Sequence, residues 1–194
     1  MTLPRDEHRN LLLGLVDRYS PIDDRDAENK QLAKRFIRGH VRCFDPQYEP
    51  GHLTGSAWLI DTTGTRVLLT LHRKLGRWIQ LGGHADGELD LLVVATREAR
   101  EESGILLIEA VSSEIFDVGV HAFAGDESAP GHVHYDVRFL LRVIGDDTFT
   151  PSDESIDLRW FTAEELHALD VDESVARMCV KWRRWNSATS QFSG

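Results

Sequence analysis

Apolar residues recur at helical spacing near the start of the chain: Leu11, Leu12, Leu15, Val16 and Tyr19 form one face, and Leu32, Phe36 and Ile37 form a second. Ser20-Pro21 interrupts the pattern, so a helix pair is predicted within the first 45 residues. Pro46, Pro50, Gly51 and Gly55 then supply loop chemistry from Asp45 to Gly55, and the domain boundary is placed there, dividing 1–45 from 46–194. Ser56 to Ile60 and Arg66 to Leu71 read as a hairpin about Thr62-Thr63-Gly64. Asp90 to Ser103 is the clearest helix, with Leu91, Leu92, Ala95 and Ala99 as its apolar stripe, Asp90 as its cap and Gly104 at its stop. Further strands are predicted at Glu109 to Val120, Tyr135 to Ile144 and Ile156 to Phe161. Thr162 with Glu165 opens a short helix as a capping box, and Glu173 to Trp185 forms the last helix. This order predicts an α/β fold, a mixed β-sheet flanked by helices, with an added N-terminal helical segment.

Composition narrows the function. With 194 residues, 41% of them apolar, the chain is long enough for a real core, and no apolar run reaches the length that spans a bilayer. Its net charge of −10 repels phosphate backbones and anionic lipid surfaces, so neither nucleic acid nor membrane is expected as a partner. Polyphosphates remain accessible to an acidic protein that places divalent cations between its carboxylates and the substrate. Cys43 and Cys179 match no metal-ligand spacing, and no signal peptide is recognised, so a reducing cytoplasm is the expected location.

The chemistry concentrates in the central helix, where Arg97-Glu98-Ala99-Arg100-Glu101-Glu102-Ser103-Gly104-Ile105 puts three glutamates on one face. Their like charges repel at i, i+3 and i, i+4 spacing, and the helix dipole disfavours them in a last turn. A hard divalent cation resolves both conflicts, because carboxylate oxygens are the ligands Mg²⁺ and Mn²⁺ prefer. The plain alternative is a solvated helix face neutralised in part by Arg97 and Arg100.

Set after Gly82-Gly83, this segment resembles the signature box of the Nudix hydrolases. Leu68-Leu69, Lys74 and Trp78 before it, and Arg159-Trp160-Phe161 and Glu164-Glu165-Leu166 after it, extend the resemblance over about Ser56 to Leu169. Two positions depart from the pattern: its first glutamate falls on Leu89, one residue past Glu88, and a proline often found before the glycines is Leu81. The resemblance implies a Nudix-like α/β/α sandwich. It also implies hydrolysis of the diphosphate linkage of a nucleoside diphosphate derivative, with Mg²⁺ or Mn²⁺ held by Glu98, Glu101, Glu102 and Gly83. Arg97 is expected to orient a glutamate. A nucleotide-sensing module without catalysis and an allylic diphosphate isomerase are the alternatives.

Beyond the box, Glu154 is the candidate general base, with Glu127 behind it. His84, His132, His134 and Glu88 are expected at the substrate. His132 and His134 share a strand face with Asp136 and also fit a zinc or iron site, but lining a pocket is the preferred reading. Trp58, Trp78 and Trp160 are read as core rather than as base-stacking platforms. The two N-terminal apolar faces need cover, and a homodimer is the expected source of it.

Overall fold

A computed structural model describes residues 4–123, 131–153, 155–169 and 171–190. The chain is α/β, with strands of a mixed sheet, helices among them, and a helical segment at the N-terminus. It divides into two compact units. One gathers the described residues of 1–56, 82–95 and 112–139, and the other those of 57–81, 96–111 and 140–194.

In the first unit the predicted helix pair is α1 (Arg5–Arg18) and α2 (Asp24–Gly39). Asp23 caps α2 by accepting from the Asp26 amide at 2.8 Å, and the acidic first turn suits the helix dipole. Leu12, Val16, Ala33, Phe36 and Ile37 are buried. The apolar face of α2 is seated on β6 (Asp117–Phe123), where Asn29 Nδ2 donates to the Val118 carbonyl at 3.2 Å. Strand β6 pairs antiparallel with β7 (His132–Val143), from Asp117↔Arg138 to Phe123↔His132, and Phe36 stacks on Tyr135 with ring centroids 4.0 Å apart.

Strand β1 (His52–Ile60) starts four residues before the predicted Ser56, because the turn chemistry ends at Gly51 and His52, Leu53, Thr54 and Ser56 are all buried. Strand β4 (Leu81–His84) pairs with β1, and a Cβ at Gly82 would lie 2.1 Å from Ser56 Oγ. Glycine is therefore the residue that lets the two backbones approach.

In the second unit, β2 (Arg66–His72) pairs antiparallel with the end of β1, with β3 (Trp78–Ile79) and with β8 (Ser155–Thr162). The predicted strand from Glu109 to Val120 is broken: β5 (Ile108–Ala110) pairs with the end of β7, and β6 begins only at Asp117. Between them the Glu114 amide bonds Ser112 Oγ at 3.0 Å, the side-chain-to-backbone contact by which serine diverts a chain into a turn. Helix α4 (Ala163–Ala168) carries the predicted Thr162–Glu165 capping box, and α5 (Glu173–Ser190) follows. Trp58 meets Trp182 edge-on at 6.1 Å and Trp78 meets Phe161 at 4.8 Å, so these rings pack within the protein. Among the described residues no helix is long and apolar enough to cross a membrane.

Asp61 organises the β1–β2 turn. Its carboxylate accepts from Thr63 Oγ1 at 3.0 Å, the Thr65 amide at 2.9 Å and Arg66 Nε at 2.8 Å. Burial pushes its pKa up, but these donors outweigh burial and hold it below the ordinary carboxylate value. A lowered native pKa contributes stability above the unfolded value near 4, and that stability is lost as pH falls through the native value. Asp61→Asn is expected to cost about 2 kcal/mol at neutral pH. The gap to the parent chain should narrow in acid. Thermal melts between about pH 3 and 7 check this, and a gap independent of pH would refute the assignment.

Candidate functional site

Helix α3 (Leu91–Ser103) carries the glutamate cluster, and its ends are built as its sequence suggests. At the start, Glu88 accepts from the Leu89 and Asp90 amides at 2.7 and 2.9 Å, and Asp90 accepts from the Leu92 amide at 3.0 Å. The Glu88 carboxylate is therefore engaged in ordering the helix entry. At the stop, Gly104 adopts φ 72°, the left-handed conformation glycine takes at low cost, and its amide donates to the Arg100 carbonyl at 2.8 Å. Val94, Ala95 and Ala99 are fully buried, which sets the helix rotation and turns the glutamates away from that stripe.

In the second unit, Arg97 Nη2 lies 2.9 Å from Glu98 Oε1, and Arg97 Nη1 lies 3.7 Å from Glu101 Oε2. The Glu98 side chain is only 13% exposed and that of Glu101 is 59% exposed, so the cluster runs from a packed carboxylate to a solvated one. Arg100 instead reaches the Ile108 carbonyl at 3.3 Å. The two arginines are thus divided: one steadies glutamates and the other ties the helix to β5. Hard oxygen donors at i, i+3 and i, i+4 fit Mg²⁺ or Mn²⁺ in chemistry and charge. Among the described residues, the three glutamates do not form a group whose donor atoms all lie within 4.8 Å of one another.

The first unit holds Gly83, His84 and Glu88, together with a histidine cluster. His132 and His134 project from one face of β7, and their Nε2 atoms are 3.0 Å apart. His52, at the head of β1, stacks on His132 with centroids 5.2 Å apart and approaches His134 at 4.6 Å and His84 at 4.9 Å. Phe123 closes against His134 at 4.5 Å. Burial, reinforced by the neighbouring His84 and His132, lowers His52 to about 4, while the Tyr48 backbone opposes the shift without reaching hydrogen-bond geometry. Burial and the surrounding histidines lower His134 to about 3. Farther along the same face Arg138 is buried between Asp136 at 2.6 Å and Asp117 at 2.8 Å, and it meets His121 Nε2 at 2.8 Å. Glu154 and Glu127 lie outside the described residues.

The family model for the NUDIX domain matches residues 52–182, more than half of the chain. The chain belongs to the NUDIX family. A NUDIX-family hydrolase from Clostridium perfringens is similar at 22% identity, covering 69% of this chain and 97% of that one with a TM-score of 0.53. The MutT protein of Methanosarcina mazei is similar at 20% identity, covering 72% of this chain and 97% of that one with a TM-score of 0.50. Both likenesses are of fold. No curated protein matches.

The Nudix match opens at His52, the first residue of β1, and so leaves α1 and α2 outside it. His52 is also the residue that sequence reasoning missed. Its signal was the alternation His52, Thr54, Ser56 around Leu53, which puts three polar side chains on one face of a buried strand. The Arg138 network was missed as well, since Asp117 and Arg138 become neighbours only through the register of β6 and β7.

Proposed function

We propose that this Nudix enzyme hydrolyses the diphosphate linkage of a nucleoside diphosphate derivative by attack of water on phosphorus. The observation that supports the reading is the box on α3: Glu98, Glu101 and Glu102 share a helix face, and Arg97 is ion-paired to the first of them. Glu98, Glu101 and Glu102 would hold Mg²⁺ or Mn²⁺, which when bound supplies charge neutralisation of the phosphate oxygens and lowers the pKa of coordinated water. Arg97 positions Glu98 by fixing one of its oxygens. In the reaction the water oxygen forms a bond to phosphorus, the bridging phosphorus–oxygen bond breaks, and the bridging oxygen leaves on the other phosphate. The proton lost by the water passes to a carboxylate. We retain Glu154 as the proposed acceptor outside the box.

Burial pushes the Cys43 thiol up to about 11 and raises Cys179, so neither is activated as a thiolate. That speaks against a cysteine-dependent isomerase. The reading is tested by incubating the full chain with nucleotide sugars, ADP-ribose, dinucleoside polyphosphates and nucleoside triphosphates, with Mg²⁺ and with Mn²⁺, and resolving the products. Release of a nucleoside monophosphate or of a terminal phosphate ester from at least one diphosphate class is expected. Nucleotide binding without turnover of any of them would point to the sensing alternative.

A further inference from the structure

The box glutamates leave the histidine cluster of the first unit unexplained. Among the described residues, His52, His132 and His134 are the set of three metal-ligating side chains whose donor atoms all lie within 4.8 Å of one another. Two of them are on β7 at i, i+2, the spacing that puts both on the same strand face, and the third comes from β1. Zinc–imidazole bonds of about 2.0–2.1 Å in a tetrahedron set ligand nitrogens about 3.3 Å apart. The 3.0 Å between His132 Nε2 and His134 Nε2 is already close to that span.

His52 makes the stronger argument. The residue is 3% exposed, and neither ring nitrogen has a hydrogen-bond partner among the described residues. A buried polar group left in that state keeps its desolvation penalty uncompensated, so a packing role alone would be better served by an apolar residue. A neutral imidazole turned toward two other imidazoles offers a lone pair to a metal ion instead. Three nitrogens without a carboxylate among them suit a borderline cation such as zinc, while Mg²⁺ and Mn²⁺ favour the oxygens of the box.

We propose that His52, His132 and His134 form a three-nitrogen site for a zinc-class divalent ion, built from residues other than the box glutamates. Three protein ligands leave a fourth position for water or for an oxygen of a bound ligand. The Phe123 ring packed against His132 and His134, at centroid distances of 5.5 and 4.5 Å, gives the site a dry wall.

The test uses the full chain, stripped with a chelator and titrated with Co²⁺ alone as a spectroscopic probe, then with Zn²⁺ in competition. The parent chain and the Glu101→Gln/Glu102→Gln variant should both develop the intense visible absorption of low-coordinate Co²⁺ at one equivalent, which Zn²⁺ abolishes. The His132→Gln/His134→Gln variant should bind at least about a hundredfold more weakly, since loss of ligands exceeds the effect of losing their supporting contacts. Both histidines are only half-buried, and circular dichroism checks that the variant is folded. Histidine ring-proton NMR of the parent chain gives a second reading without any substitution: three histidines should move to new positions at one equivalent of Zn²⁺. A Co²⁺ signal that survives the histidine changes and disappears with the glutamate changes would overturn the proposal. So would a parent chain in which Zn²⁺ leaves every histidine resonance in place.

Discussion

Glu102→Gln should lower turnover at least about a hundredfold, because it keeps the shape of the side chain and removes one charged oxygen ligand from the proposed cation site. Glu101→Gln should act alike, although its side chain is more than half exposed and contributes little to packing. That exposure is what makes the pair informative. A helix face that merely carried solvated charge would lose nothing on either change, whereas a site that holds a cation against phosphate loses transition-state stabilisation from both. Stability should barely move, and without divalent ions it should rise slightly, as a repulsive partner of Glu98 has gone. Steady-state kinetics at saturating Mg²⁺ or Mn²⁺, paired with thermal melts in chelator, measure the two effects separately. Near-normal turnover in both variants would remove the glutamates from the cation site.

Helix α3 could be read from sequence because every local signal agreed: an apolar stripe, a capping aspartate and a glycine at the stop, each found in its place. The box was legible for the same reason, since its residues sit on one helix and helical spacing alone puts them on a face. The strands were less legible at their ends. The loop-forming Pro46, Pro50 and Gly51 masked the start of β1, and the serine turn at Ser112 was hidden inside what reads as one apolar run. The histidine cluster was half legible. His132 and His134 are two apart in the chain, but His52 is 80 residues from His132, and no local spacing reports a contact that sheet formation creates.

Arg138→Met should destabilise the protein by about 3–5 kcal/mol, the range for breaking a buried ion pair from one side. The guanidinium is 1% exposed, and its bonds include Nε to Asp136, Nη1 to Asp117 and Nη2 to the His121 ring. Methionine fills much of the same volume but satisfies none of them. Asp136 keeps its bonds from Thr54 at 2.9 Å and Ser56 at 2.7 Å, whereas the Asp117 carboxylate, fully buried, loses the cation that neutralises it. The cost therefore comes from stranded charge more than from lost packing, and that distinction can be measured. Adding Asp117→Leu to Arg138→Met should restore part of the stability, so the double variant should be more stable than the sum of the single changes allows. Urea unfolding of the four chains of this cycle gives the coupling directly. A loss below about 1 kcal/mol for Arg138→Met, or strict additivity with Asp117→Leu, would mean that the three groups do not share a buried network.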